Sequence, residues 1–338
     1  MRLGIADEGW VGFERDVALG VAASARASGW ETRTVATAAD EARVDVVLAI
    51  GNLGIYPDLV RRHASARRIL WHMEVLSIPP VDPTAIYRLH RRVPTGRLLD
   101  GAARALPPFG RSGVFARWRE EAAIERETGA NLRGLQASRR AFDRIVVDSN
   151  DRAWGARAAG IDVDVLPVGY HEAYAGPLAS LGDAERDIEV LLLGSLPGRY
   201  GRRQRVLPLV EAGLAERGVT VTRLTTALMG PPRRAILDRT RVVVDIHRVP
   251  GNHPMLRFIL ATAAGAALVA EPLRDPSPLV AGVHYLEAPT GELPTVIAEL
   301  LADEPARRRL VTASQALIAG PAHMDRIQPR LTATIVDT

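Results

Sequence analysis

Short apolar segments alternate with helical segments along the whole chain. In the first half the apolar segments are RLGIA (2–6), ETRTVA (31–36), DVVLAIGN (45–52), RRILWHME (67–74), RIVVDS (144–149) and VDVLPVGY (163–170). The spacing of apolar residues in FERDVALGVAASARASG (13–29), which ends in glycine, predicts a helix after the first of them. Nearly continuous apolar strands are typical of sheets covered on both faces. The alternation therefore predicts an α/β fold of parallel sheets flanked by helices.

The alternation restarts after HEAYAGPLASLGDAERD (171–187), a segment rich in alanine, glycine and acidic residues that we interpret as a linker. The later predicted strands are IEVLLLGS (188–195), VTVTRLTT (219–226), RVVVDIHR (241–248), AALVAE (266–271) and VHYLEA (283–288). Helices are predicted over 81–142, 202–217, 231–239, 254–264, 275–281 and 291–335, and Asn150 is predicted to cap another.

Two successive sets of strands and helices predict two Rossmann-like domains. With 338 residues, 47% of them hydrophobic, the chain can build two cores. We expect an N-terminal domain over 1–175, a C-terminal domain over 186–320, and a last helix over 321–338 that returns to the N-terminal domain. Ligands of such sheets bind beyond the carboxyl ends of the strands, so two domains in tandem would face each other across a cleft.

The composition excludes several kinds of chemistry. The chain has no cysteine and no lysine, and all 43 of its basic residues are arginines. Disulfides, thiolate metal sites, Schiff bases and a P-loop lysine are therefore excluded. Arginine is suited to gripping phosphate oxygens with its forked guanidinium group. The opening MRLGIADEGW lacks the layout of a signal peptide and no long apolar run appears, so we expect a cytoplasmic protein. We also expect that the protein has no cofactor.

Arginines are concentrated in the middle of the N-terminal half. Between Arg88 and Arg140 the sequence has 12 arginines and five acidic residues. This stretch is either a solvated helical surface or a face that meets an anionic membrane or acceptor. The net charge of +4 is modest for the length and does not indicate a nucleic-acid partner.

The segment VLLLGSLPGRYGRRQRV (190–206) joins an apolar strand to a basic turn. Glycines at 194, 198 and 201 would let a ligand approach the backbone closely. Arg199, Arg202 and Arg203 would stand at the start of the next helix, whose free N–H groups favour anions. The turn is either a diphosphate site or a surface loop that happens to carry arginines.

A second helix start of the same kind follows RVVVDIHR. Pro250 and Gly251 open the loop, Asn252 or His253 can cap the helix, and Pro254 suits its first position. Two further side chains flank this start, His247 and Arg257. Each of these polar residues could face a ligand, the core or solvent.

Together these segments resemble the donor domain of GT-B glycosyltransferases, in particular the glycosyl-transferases-group-1 branch and related spore-maturation-type proteins. The resemblance is carried by VLLLGSLPGRYGRR, DIHR, HPMLRFILATAAGAALVAE and GVHYLEAP, and more loosely by RIVVDSND and VDVLPVGYHEAY. It implies a nucleotide-diphosphate sugar held without metal by donor-side residues that we predict to be Gly194, Arg199, Arg202, Arg203, His247, Asn252, His253, Arg257 and Glu271.

The chain departs from the family pattern at one pair of positions. Many retaining members carry two glutamates eight residues apart, and the corresponding residues here are Asn252 and Leu260. Inversion and retention of the sugar configuration therefore both stay open. Glu271 is predicted to contact the sugar or the ribose.

The acceptor side would come from the N-terminal half. ADEGWVG (6–12) and WHME (71–74) follow predicted strands and would begin loops that face the cleft. Asp7, His72 and Glu74 are candidate bases for the acceptor hydroxyl, with Gly9, Trp10 and Gly12 beside them. Helix capping, solvation or core packing would explain the same residues.

Three functions fit these observations. The first is transfer of a sugar, hexosyltransferase-like, from a nucleotide-diphosphate sugar to an unidentified acceptor. The second is a nucleotide-sugar epimerase on the same architecture, and the third is a non-catalytic protein that binds nucleotide sugars. A dinucleotide dehydrogenase is disfavoured because no predicted strand ends in G-x-G-x-x-G.

Overall fold

The first half of the chain forms a fully parallel sheet in which the apolar segments are the strands. A computed structural model describes residues 1–6, 12–35, 43–51, 63–76, 124, 128–181, 186–193, 201–224, 228–253 and 255–336. The strands are β1 (Arg2–Ala6), β2 (Glu31–Val35), β3 (Val46–Ile50), β4 (Arg67–His72), β5 (Arg144–Val147) and β6 (Asp164–Val165). They lie in the order β2-β1-β3-β4-β5-β6.

The second half forms another parallel sheet. Its strands are β7 (Ile188–Leu193), β8 (Val221–Leu224), β9 (Thr240–Asp245), β10 (Ala267–Ala270) and β11 (Leu286–Glu287). Their order is β11-β10-β9-β7-β8. We refer to the first sheet and its helices as the N-terminal lobe and to the second as the C-terminal lobe. The predicted α/β class with two parallel sheets is confirmed.

Helices cover the faces of both sheets. The helices in the described ranges are α1 (Phe13–Ala27), α2 (128–138), α3 (Asn150–Ala158), α4 (Glu172–Ala175), α5 (Gly201–Ala215), α6 (Pro231–Asp238), α7 (Met255–Ala263), α8 (Leu293–Ala302), α9 (Glu304–Ala319) and α10 (Met324–Val336). All five residues of β3 are buried, as strands covered on both faces require. None of the helices searched, which lie within those ranges, is long and apolar enough to cross a membrane.

Three local predictions need correction. Residues 275–281 form turns and not a helix, because Pro276 and Pro278 lack the N–H groups that a helix needs. The cap of α3 is Ser149 and not Asn150, since the Ser149 hydroxyl accepts a hydrogen bond from the Arg152 backbone N–H at 3.4 Å. Of the predicted helical stretch 81–142, the structure describes only residue 124 and 128–142, where α2 is followed by a short 3₁₀ turn.

The chain crosses back to the N-terminal lobe at its end. Helix α10 packs against α1, and the Met324 backbone N–H donates to the Tyr170 carbonyl at 2.7 Å. Helices α1 and α6 are joined by a buried ion pair in which the Arg233 guanidinium holds both carboxylate oxygens of Asp16, at 2.7 and 3.0 Å. The two lobes are therefore connected on the side of α1 as well as through the linker.

Candidate active site

A pocket of about 170 Å³ lies between the two lobes, at the carboxyl ends of their strands. Because every strand in each sheet is parallel, the loops after β4, β5 and β9 all emerge at this edge. The pocket is lined by apolar and charged side chains from both lobes: Phe13, Met73, Glu74, Val75, Asp148, Arg152, Val168, Arg248, Asn252, His253, Met255, Leu256 and Arg257.

One ion pair spans the pocket from lobe to lobe. The Arg248 Nη2 atom of the C-terminal lobe lies 3.4 Å from the Glu74 Oε2 atom of the N-terminal lobe. Both side chains are mostly buried. A carboxylate of the N-terminal lobe thus faces an arginine of the C-terminal lobe in the pocket lining.

Arg257 lies in the first turn of α7, and its side chain contacts Asp245 at the end of β9. Its Nη1 atom contacts Asp245 Oδ1, and Arg203 Nη2 lies 3.5 Å from the same oxygen. Burial opposes ionisation of Asp245, but the charges of Arg257, His247 and Arg203 outweigh it and lower the pKa of this carboxyl. The ionised Asp245 holds Arg257 at the pocket wall.

Arg202 and Arg203 are buried and do not belong to the pocket lining. Arg202 pairs with both carboxylate oxygens of Glu271 and donates to the His247 carbonyl at 2.7 Å. Arg203 donates to the Ile246 carbonyl at 2.6 Å, and burial lowers its pKa to about 9. Both guanidinium groups bind groups of the protein in this structure, and their contacts with a diphosphate stay a prediction.

Glu271 is also committed inside the C-terminal lobe. In addition to Arg202, its carboxylate accepts from the Thr290 hydroxyl at 2.5 Å and from the His247 backbone N–H at 2.8 Å. Burial opposes ionisation, yet Arg202 and these donors lower the pKa of Glu271. These bonds occupy a buried carboxylate, and the contact of Glu271 with sugar or ribose stays a prediction.

The two predicted histidines take different positions. His247 is fully buried, neither ring nitrogen has a hydrogen-bond partner, and burial lowers its pKa. It does not line the pocket, in contrast to His253, whose Nε2 atom lies 3.2 Å from the Pro276 carbonyl oxygen. Burial also lowers the pKa of His253. Asn252 lines the pocket, with its Oδ1 atom 3.5 Å from Arg152 Nη2.

On the N-terminal side, Glu74 lines the pocket and His72 does not. His72 ends β4 with 1% of its surface exposed, and burial lowers its pKa to about 3. Its ring is fully enclosed in this structure, and the role of His72 as a base stays a prediction. Gly12 immediately precedes α1 with φ 154°. The other predicted residues, Asp7, Gly9, Trp10, Gly194 and Arg199, lie outside the described residues.

Three charged residues of the pocket were not predicted from the sequence: Asp148, Arg152 and Arg248. Asp148 and Arg248 stand at the ends of RIVVD and DIHR, directly after or near strand ends, and that position could have identified them. Arg152 has a weaker signal because it lies inside a helix. Over the described ranges, no group of three or more His, Asp or Glu side chains is placed to hold a metal ion.

The arrangement of two parallel sheets around a cleft is the GT-B fold of glycosyltransferases, which confirms the predicted architecture. Solved structures with this similarity include Anabaena Alr3699/HepE in complex with UDP and glucose, with a TM-score of 0.61, 11% identity and full coverage of both chains. An alpha-glucosyltransferase in complex with UDP and a 13-mer DNA has a TM-score of 0.60, 11% identity and full coverage of both chains.

A third similar structure is longer than this chain. The S. aureus TarM G117R mutant has a TM-score of 0.53 and 10% identity, and the similarity covers 86% of this chain and 55% of that one. Neither a protein-family model nor a curated sequence matches the chain. At these identities the structural similarity establishes the fold.

Proposed function

We propose that this protein is a glycosyltransferase that moves a sugar from a nucleotide-diphosphate sugar to an acceptor bound by the N-terminal lobe. The observation that carries the proposal is the pair Arg248 and Arg257, which line one interlobe pocket beside the start of α7. Two guanidinium groups and a helix N-terminus are the groups that a diphosphate prefers.

The chemistry gives these groups a role. When the bond between the sugar C1 atom and the diphosphate breaks, negative charge accumulates on the leaving nucleoside diphosphate. Arginines that are already in position stabilise this charge without reorganisation, and removing one such donor typically costs roughly 100-fold or more in rate. We propose that Arg248 and Arg257 supply this stabilisation and that no metal ion is needed.

The predicted residues outside the described ranges remain part of the proposal. Gly194 and Arg199 follow β7, which is the neighbour of β9 in the sheet, so they follow a strand that ends beside Asp245. Asp7, Gly9 and Trp10 follow β1 and precede Gly12. We propose donor contacts for the first group, together with Asn252 and His253, and acceptor-side roles for the second.

The solved structures supply the first probe. Anabaena HepE has been crystallised with UDP-glucose, and the alpha-glucosyltransferase with UDP. We therefore propose a panel of nucleotide sugars that begins with UDP-glucose. A ligand at 100 times its dissociation constant adds about 2.7 kcal/mol of stability, which a thermal unfolding assay detects.

The test combines binding with turnover. We expect at least one nucleoside diphosphate to raise the melting temperature of the wild type, and Arg248→Met and Arg257→Met to reduce that shift relative to each variant's own ligand-free value. Arg308→Met is the matched control, because Arg308 lies on the exposed face of α9 in an ion pair with Glu304. Release of nucleoside diphosphate from the sugar donor should persist in excess EDTA.

Other outcomes identify the other functions. Binding of a nucleotide sugar without turnover over a broad acceptor panel would indicate a non-catalytic binding protein. Conversion of the donor into its epimer without an acceptor would indicate an epimerase. If Arg308→Met reduces the ligand-induced rise in melting temperature as much as Arg248→Met and Arg257→Met do, the pocket is not the nucleotide site that we propose.

A further inference from the structure

The N-terminal lobe contributes an apolar wall to the pocket between the lobes. Four of its apolar residues line the pocket, and we call them the apolar wall: Phe13, Met73, Val75 and Val168. Phe13 begins α1, and the other three follow β4 or β6, so the wall lies at the carboxyl edge of the sheet. Phe13 is half-buried and the other three are almost completely buried.

The apolar wall is part of the core that the two lobes share. Met73 and Val168 belong to one buried cluster with Met255 of the C-terminal lobe, and Phe13 packs against this cluster. Met255 begins α7, two residues before Arg257, and both line the pocket. The wall is therefore held in place by core packing, and its apolar surface continues to the helix start that we assign to the donor.

The charged residues that the N-terminal lobe adds to the lining are Glu74, Asp148 and Arg152. Glu74 faces Arg248 across the cleft at 3.4 Å, and Arg152 contacts Asp148. Among the residues that the structure describes, two carboxylates and one guanidinium group thus stand on this side of the pocket. The excess of negative charge repels an anionic acceptor.

An apolar surface at this position discriminates between kinds of acceptor. A saccharide carries a hydroxyl on most of its carbons, and a hydroxyl placed against apolar side chains loses hydrogen bonds to water without replacing them. An aromatic or aliphatic body instead leaves water and gains dispersion contacts. The flexible thioethers of Met73 and Met255 adapt to bodies of different shape and make favourable contacts with aromatic rings.

We propose that the acceptor is an apolar alcohol, either a phenol or an aliphatic alcohol, and that the apolar wall is its subsite. This inference rests on the proposed function and names the class of its acceptor. In the transfer, the alcohol oxygen bonds to the sugar C1 atom as the bond from C1 to the diphosphate oxygen breaks. The electron pair of the broken bond leaves with the nucleoside diphosphate, and the hydroxyl proton passes to solvent.

A panel of acceptors tests the class, with the nucleotide sugars that the wild type binds as donors and UDP-glucose as the first of them. Ethylphenol and hexanol are compared with methyl glucoside and glycerol phosphate, and product formation is followed by mass spectrometry. We expect kcat/KM for the better apolar alcohol to exceed that for methyl glucoside and for glycerol phosphate by roughly tenfold or more. The ratio of kcat/KM between ethylphenol and hexanol then shows whether the preferred body is aromatic or aliphatic.

Variants of Phe13 locate the preference in the apolar wall. Phe13→Ala should raise the KM for the better apolar alcohol by about tenfold and change kcat less. Trp30→Ala is the matched control and should leave this KM unchanged, because Trp30 lies beyond the other end of α1 and packs against the same cluster outside the pocket lining. If Phe13→Ala does not fold, Phe13→Leu keeps an apolar side chain at this position and should raise the KM for ethylphenol more than that for hexanol.

Several results would overturn the inference and leave the proposed function standing. These are a preference for methyl glucoside or glycerol phosphate, no transfer to either apolar alcohol by a protein that binds nucleotide sugars, and equal changes in KM in the Phe13 and Trp30 variants. Failure of the wild type to bind any nucleotide sugar would instead overturn the proposed function and the inference with it.

Discussion

Arg248 and Glu74 lie 3.4 Å apart across the cleft, one from each lobe. The pair links the segment that follows β4 to the segment that follows β9, and both residues line the pocket. An incoming diphosphate would have to replace the Glu74 carboxylate at Arg248. This contact is therefore both a link between the lobes and a competitor of the proposed ligand.

The first prediction follows from that competition. Glu74→Gln removes the carboxylate charge that faces Arg248 across the cleft, so the dissociation constant for UDP should decrease by roughly fivefold, the equivalent of about 1 kcal/mol. Isothermal titration calorimetry at low and high salt measures the change. Glu304→Gln, in the exposed pair with Arg308, should leave the affinity unchanged. Unaltered or weaker binding in Glu74→Gln would contradict the competition.

The second prediction concerns the buried link between α1 and α6. Asp16 and Arg233 are 1% and 5% exposed, and removing one partner leaves the other charge buried and unpaired. Asp16→Asn should lower the free energy of unfolding by about 3–5 kcal/mol, whereas Asp16→Leu combined with Arg233→Met should recover most of the loss. Urea unfolding measures both. Asp45→Asn, in the exposed pair with Arg2, is the control and should have little effect.

The third prediction is a pH dependence from His72. Burial lowers the pKa of His72 in the folded state to about 3, whereas the pKa of a histidine in the unfolded chain is about 6.5. Below that pH the unfolded chain binds a proton that the folded chain does not, so stability is complete above about 6.5 and is lost as the pH falls towards 3. The wild type should lose about 1.4 kcal/mol more per pH unit than His72→Gln between about pH 6 and 4.

Unfolding free energies at a series of pH values test this dependence. His323→Gln is the control, because His323 is partly exposed at the start of α10. Equal slopes for the wild type and His72→Gln would show that His72 does not carry the effect.

The fourth prediction concerns the return of α10 to the N-terminal lobe. A Cβ atom on Gly169 would lie 2.9 Å from the Met324 backbone and 2.6 Å from Ile327 Cδ1. Gly169→Ala should therefore push α10 away from the N-terminal lobe and lower the free energy of unfolding by about 1–3 kcal/mol. At Gly291 the same added atom meets nothing within 4 Å, so Gly291→Ala should be nearly neutral. A neutral Gly169→Ala would mean that α10 can shift without loss.

Local sequence patterns were sufficient to predict most of the strands and helices. Segments such as VVLAI and MLRFILATA consist mostly of apolar residues, so their burial and their secondary structure could be predicted from the local sequence pattern. The stretch 275–281 was mispredicted because two prolines outweighed its helical spacing. The site was harder to predict. Arg257, Glu74, Asn252 and His253 line the pocket, and their roles stay predictions, whereas Asp148, Arg152 and Arg248 were not predicted.

The sequence by itself determined the alternation that makes two parallel sheets, the cleft at their carboxyl edges, and the fact that arginine must supply every long cationic side chain. Only the tertiary structure decided which arginines line the pocket. Arg202 and Arg203 bind Glu271 and Asp245 inside the lobe, while Arg248 and Arg257 reach the pocket wall. The physical reason is that a buried charge must be paired, and its partners here lie 42 and 69 residues away along the chain, where only folding brings them together.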